Sequence, residues 1–192
     1  MQQTNKRTVF LDRDGTIIVD KKYMHKIEDL EFIPGAIEAV KKLNQAGYLV
    51  VVITSQSGIG QGYFSEDAYH KFNQHFLDKL AKDGAKVASV HYCPHHPTKA
   101  KGEYLKDCEC RKPKAGMILA AKKLHNLEDL SNCWAIGDKT SDAKMGENAG
   151  CKSIIVQTGK GGLDGECQIN PAYRAKDLLE AIQFILANDN KN

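Results

Sequence analysis

The chain has 192 residues, 42% of them hydrophobic, enough for one domain with a buried core and too few for two comfortable ones. Its 27 basic and 24 acidic residues leave a net charge of +3 spread along the sequence, with no basic stripe to neutralise a nucleic-acid backbone. The N-terminal MQQTNKRT is polar and no run approaches the roughly 18 apolar residues of a membrane helix, so neither nucleic acid nor membrane is expected as a partner and the protein reads as cytoplasmic.

In chain order, TVFLD (8–12) is strand-like, and helical spacing follows over 35–46 behind Pro34. YLVVVIT (48–54) is the second strand, and a helix over 65–83 opens with Ser65 and closes at Gly84. KVASVHY (86–92), a helix over 114–125, CWAIGD (133–138), a short helix over 140–149, KSIIVQT (152–158) and a helix over 175–188 complete the series. This alternation predicts an α/β fold, a doubly wound parallel sheet with helices on both faces, in a single domain spanning 1–192. The stretch from Cys93 to Lys114 is rich in Pro, His, Cys and charge, and lacks apolar periodicity, which predicts a loop of about 20 residues. SGIGQG (57–62) reads as loop glycines near a phosphate, but no G-K-[ST] follows, so a P-loop is excluded.

Ligands of open α/β sheets bind beyond the carboxyl ends of the strands. There the sequence places Asp12 and Asp14, Thr54 and Ser55, Arg111 and Lys112, and Asp138 and Lys139. Three carboxylates favour a hard divalent cation such as Mg²⁺, while Thr and Lys hold phosphoryl oxygens. Asp12 and Asp14 are tolerable together if a cation neutralises one and the other carries a proton. In the loop, Cys93, Cys108 and Cys110 with one imidazole, His95 or His96 on chemistry alone, make a closed Cys₃His zinc set of structural type (about 93–110). Zinc there would stiffen the segment that carries Arg111 and Lys112. Cys133, Cys151 and Cys167 have no partners by spacing and read as small hydrophobes.

D-R-D-G-T at 12–16, Thr54, Lys112 and G-D-K-T-S-D at 137–142 resemble the four motifs of the haloacid-dehalogenase (HAD) superfamily phosphatases, over roughly residues 8–158. The resemblance implies that Asp12 is a nucleophile forming an aspartyl-phosphate and that Asp14 is the general acid and base. It also implies that Asp12, the Asp14 main-chain carbonyl and Asp138 hold Mg²⁺, and that Thr54 and Lys112 steady the transferring phosphoryl group. The intervals from Thr16 to Thr54 and from Thr54 to Lys112 leave no room for a separate cap domain.

Within the superfamily, LDRDGTI, YCPHHP, CECRKP and GDK together resemble the zinc-loop sugar-bisphosphate phosphatases of the histidinol-phosphatase-like group. That resemblance implies His95 as the zinc ligand and a cytoplasmic enzyme that removes the C7 phosphate of a heptose 1,7-bisphosphate on the way to ADP-heptose and lipopolysaccharide. It implies a small-molecule pocket lined by Asp20, Lys21, Lys22, Tyr23, Thr54, Ser55, Gln56, Ser57, Arg111, Lys112 and Lys139, with Arg111 serving recognition. Ser55 stands where that group usually has Asn, and Ala115 where Pro is frequent. Histidinol phosphate is the alternative substrate. A non-enzymatic phospho-acceptor module, the third reading, would lack the acid two residues after the acceptor and the zinc loop. The absence of an apolar surface stripe in the sequence favours a monomer.

Overall fold

Runs of Val, Ile and Leu form the middle of the sheet in a computed structural model that describes residues 6–189: β1 (Thr8–Leu11), β2 (Leu49–Ser55), β4 (Trp134–Gly137) and β5 (Lys152–Val156) are buried almost throughout. With β3 (Ser89–Cys93) and β6 (Tyr173–Ala175) they make one six-stranded parallel sheet of order β3-β2-β1-β4-β5-β6. Side chains alternate between two cores. Val9, Leu11, Val50 and Val52 meet α1 (Ala36–Gln45), α3 (Glu66–Lys82) and α6 (Leu178–Asp189) on one face. Phe10, Val51 and Ile53 meet α4 (Gly116–His125) and α5 (Thr140–Asn148) on the other. The expected doubly wound architecture is present, and no separate cap folds between the strands among the described residues.

Three expectations change. β6 lies just ahead of the last helix, which begins at Leu178 rather than at residue 175. Three residues on a sheet edge are too few to show a period of two. SGIGQG is not simply a loop: Ser57–Gln61 is a helical turn, α2, and its glycines are there for close packing. A Cβ at Gly60 would lie 2.6 Å from the Pro94 carbonyl oxygen. The third strand starts at Ser89 rather than residue 86. No helix among the described residues is long and apolar enough to cross a membrane.

The 17-residue α3 underlies the site described below, and its N-terminus is closed by the Ser65 hydroxyl accepting from the Ala68 N–H at 3.1 Å. Ser65→Ala is expected to lower stability by about 1 kcal/mol, read as an earlier urea midpoint at unchanged slope.

Candidate active site

The strand order reverses between β1 and β4, and the crevice beyond their carboxyl ends holds the charged residues. Asp12 continues β1, its N–H donating to the Ile136 carbonyl at 2.9 Å, and the chain then turns through Gly15 at φ +93°. Lys112 reaches up from the Cys/His loop. Its buried ammonium donates to Asp12 Oδ1 at 2.6 Å, Asp142 Oδ1 at 2.7 Å and the Ile53 carbonyl at 2.9 Å. All three of its hydrogens are thereby used. The second oxygen of Asp142 accepts from the Lys139 N–H at 3.0 Å and closes the start of α5. Asp138, fully buried, accepts the Lys160 N–H on Oδ2 at 2.7 Å, while its Oδ1 has no partner.

Each carboxylate of the DRD run also has a cationic partner of its own. Asp12 pairs with Lys112, whereas Asp14 pairs with Arg13, whose Nε and Nη2 lie 3.1–3.3 Å from both of its oxygens. Gln56 at 2.9 Å and Thr54 at 3.2 Å also donate to Asp14 Oδ2. Burial pushes the Asp12 carboxyl up to about 8, against the pull of Lys112 and with help from Asp142 and Asp138. Burial likewise lifts Asp138, to about 6. Burial alone would pull Lys112 down, but Asp12 and Asp142 outweigh it and the net shift is upward.

Ligand atoms of Asp12, Asp138 and Asp142 lie within 4.8 Å of one another. Both oxygens of Asp142 are engaged by lysine residues, so the free valence of the cluster is the orphaned Asp138 Oδ1 next to Asp12. Oxygen donors, excess negative charge and a buried unpartnered oxygen fit magnesium. Glycines make the space, since a Cβ at Gly15 would lie 2.6 Å from Asp138 Oδ2.

The second metal-type cluster is the Cys/His loop. Cys93, His95, Cys108 and Cys110 bring their donor atoms within 4.8 Å, with sulfur–sulfur distances of 3.1–3.5 Å and His95 Nδ1 3.3 Å from Cys110 Sγ. His96 is engaged elsewhere, its Nδ1 accepting from the Thr98 and Lys99 N–H groups, which selects His95. Hydrogen bonds from Cys93 hold Cys110 down at about 5, while hydrogen bonding to Cys110 and burial push Cys93 up. This donor set fits a closed tetrahedral zinc site. It is mechanically linked to the crevice: Arg111 Nη1 donates to the His95 carbonyl at 3.1 Å.

A cavity of about 480 Å³ opens over these groups, lined by Asp12, Asp14, Asp20, Lys22, Tyr23, Ser55, Gln56, Ser57, Arg111, Lys112 and Lys139. Two residues expected there lie elsewhere. Lys21 pairs with Glu31 at 2.9 Å, and Thr54 is fully buried beneath Gln56 and Asp14. The segment after β5 went unrecognised: Lys160 and Glu166 line the cavity, Thr158 Oγ1 donates to the Gly15 carbonyl at 2.7 Å, and Asp164 accepts from the Thr140 N–H and hydroxyl. Its sequence signal is the TGKGG string at a strand end. Asp142, which the sequence offers only as part of the GDKTSD string, is the second anchor of Lys112.

A parallel sheet with an acid pair after β1, a buried lysine and an acid after β4 defines a HAD-type hydrolase, and the family model described as "HAD-hyrolase-like" matches residues 109–181. The D-glycero-beta-D-manno-heptose-1,7-bisphosphate 7-phosphatase of Pasteurella multocida is 46% identical over 81% of this chain and 84% of its own length. The Escherichia coli enzyme of that name is 40% identical over 79% of this chain and 80% of its own. The solved D,D-heptose 1,7-bisphosphate phosphatase of B. bronchiseptica, complexed with magnesium and phosphate, superposes with TM-score 0.84 at 29% identity, covering 95% of this chain and 99% of that one. The chain belongs to the heptose-bisphosphate phosphatase family of HAD-like hydrolases.

Two outcomes follow from the two clusters. Unfolded Asp12 titrates near 3.8 and native metal-free Asp12 near 8, so between these values the folded chain keeps a proton that the unfolded chain has lost. The stabilisation is therefore full below that window and is lost as pH rises through it. Metal-free protein is expected to melt at falling temperature from about pH 5 to 8, and Mg²⁺ or Asp12→Asn should flatten that slope; an unaltered slope refutes the assignment. Freshly purified protein should carry stoichiometric zinc by elemental analysis. Cys108→Ser should lose the zinc and several degrees of melting temperature.

Proposed function

We propose that this chain is a magnesium-dependent phosphatase removing the C7 phosphate of D-glycero-D-manno-heptose 1,7-bisphosphate, working as a cytoplasmic, monomeric, single-domain enzyme in the supply of ADP-heptose. The observation that carries the reaction class is Lys112 locked between Asp12 and Asp142 beside the unpartnered Asp138 Oδ1. The substrate rests on the relatives at 40–46% identity. The nearly balanced overall charge is consistent with a small-molecule substrate rather than a polyanion.

Asp12 attacks phosphorus, a phosphorus–oxygen bond forms to its carboxylate, and the bond to the sugar oxygen breaks. Asp14 delivers the proton that the departing alkoxide needs, then takes one from the water that cleaves the aspartyl-phosphate. Arg13, Gln56 and Thr54 hold the Asp14 carboxyl in place between these steps. Lys112 keeps Asp12 oriented and sets positive charge where the phosphoryl oxygens gather, and Lys139 also lines the cavity. Asp12, the Asp14 main-chain carbonyl and Asp138 would hold magnesium, which when bound neutralises the buried carboxylates and the developing phosphoryl charge. Arg111, Asp20, Lys22, Tyr23, Ser55, Gln56 and Ser57 form the walls around the rest of the substrate.

Phosphate release is to be measured with Mg²⁺ on heptose 1,7-bisphosphate and histidinol phosphate side by side. Multiple turnovers with clear preference for the bisphosphate are expected; preference for histidinol phosphate overturns the substrate, and single-turnover labelling without release would make the chain a phospho-acceptor module. Asp12→Asn should abolish turnover with the fold intact. Asp14→Asn should give a burst of phosphoenzyme with an activated leaving group and lose roughly 10²- to 10⁴-fold in rate on the sugar.

A further inference from the structure

At Tyr23 the cavity wall carries a feature that the phosphoryl chemistry does not use. Tyr23 and Tyr63 come from two separate segments, the loop after β1 and the turn after α2, and their ring centroids lie 4.3 Å apart at 49°. Both stay on the surface, at 46% and 56% exposure, although large aromatic rings normally gain by burial. The backbone is spent to hold them there. Lys22 and Tyr23 are consecutive non-glycine residues in the left-handed region, at φ +63° and +50°, a strained conformation that persists where surroundings enforce it. Asp20 Oδ1 accepts the Lys22 N–H at 2.8 Å, and the Tyr63 N–H donates to the Gly58 carbonyl at 2.9 Å. Beneath the pair, a Cβ on Gly58 would lie 2.9 Å from the Tyr23 ring and would collide with Phe64, so the glycine is required for this close fit.

We propose that Tyr63 is a positioning residue for specificity: it braces the Tyr23 ring, which lines the cavity, as an apolar platform that packs on the C–H face of the sugar while its phosphate lies at Lys112. The reading rests on a sugar phosphate being the substrate, as argued above. The cavity is chemically two-sided. Arg111, Lys112 and Lys139 supply cations, and Tyr23 with Phe64 supplies an aromatic wall. A phosphorylated sugar is two-sided in the same sense, with charged oxygens at its ends and an apolar ring face between them. Binding energy gained on the ring, remote from phosphorus, separates sugar phosphates from small phosphate esters that fit the cation side equally well.

The test compares wild type, Tyr63→Phe and Tyr63→Ala, each with its melting temperature recorded, on heptose 1,7-bisphosphate and on acetyl phosphate, which has no ring. Tyr63→Ala is expected to raise KM for the bisphosphate about tenfold with kcat within about twofold, and to raise KM for acetyl phosphate several-fold less. Tyr63→Phe, which keeps the ring face, should remain close to wild type. Equal effects of Tyr63→Ala on the two substrates, or none, overturn the platform. If wild type turns over acetyl phosphate but not the heptose bisphosphate, the substrate reading fails by itself. The platform is then decided by the same selective rise in KM on whichever sugar phosphate wild type hydrolyses best.

Discussion

One buried ammonium organises the crevice. Lys112 gives all three of its hydrogens to partners on three different segments: Asp12 at the end of β1, Ile53 in β2 and Asp142 in the first turn of α5. Without it, Asp12, Asp138 and Asp142 would be three acids sharing one dry space, and repulsion would be relieved only by protonation or by spreading the strand ends apart. With it, two of them are anchored, and the third keeps an oxygen free for a metal. Asp12 and Asp142 keep this buried lysine charged against the pull of burial, so the loop that delivers it must end at a fixed place.

That requirement gives the Cys/His loop its purpose. Cys93 closes β3, while Cys108 and Cys110 lie immediately ahead of Arg111 and Lys112, so the cluster ties the start of the loop to its functional end. The loop has little else to order it: one short 3-10 turn at Gly102–Tyr104 and few buried apolar side chains. A metal clip that closes a loop of this kind removes chain entropy that packing there could not offset. Arg13 supplies a matching brace on the opposite side. Its fully buried guanidinium grips Asp14 and lies 4.9 Å from the Phe72 ring centre and 5.7 Å from that of Tyr69, so the position of the proposed acid is set by α3.

Legibility of the sequence followed how strongly residue type constrains chemistry. The DRDGT and GDKTSD strings and the Cys₃His set were readable because few other residues can do that work, and the structure brings each group together. Central strands were readable because burial on both faces leaves unbroken apolar runs. What stayed hidden was set by tertiary packing. Gly58 and Gly60 look like loop glycines in sequence, yet they sit in a helical turn because neighbouring rings and the Pro94 carbonyl leave no room for a Cβ. The choice between His95 and His96 required knowing which imidazole was already tied to its own turn. Lys160 acts at Asp138 through its main-chain N–H, which any residue but proline could supply, so no side-chain pattern announces it.

The division of labour between floor and rim follows from the absence of a cap among the described residues. A capped enzyme can close over its substrate and expel water; here the floor must be preorganised in the open state, which the Lys112 bonds and the Asp14 clasp achieve with protein groups alone. Such a floor recognises phosphate and says little about what the phosphate is attached to. On the proposed reaction, selectivity falls to the loops after β1, β2 and β5 and to Arg111 on the Cys/His loop, which line a cavity of about 480 Å³. These segments can vary without disturbing the strand ends, so one phosphoryl-transfer floor can serve different substrates, and the identity of the substrate is written in the rim rather than in the four strand-end motifs.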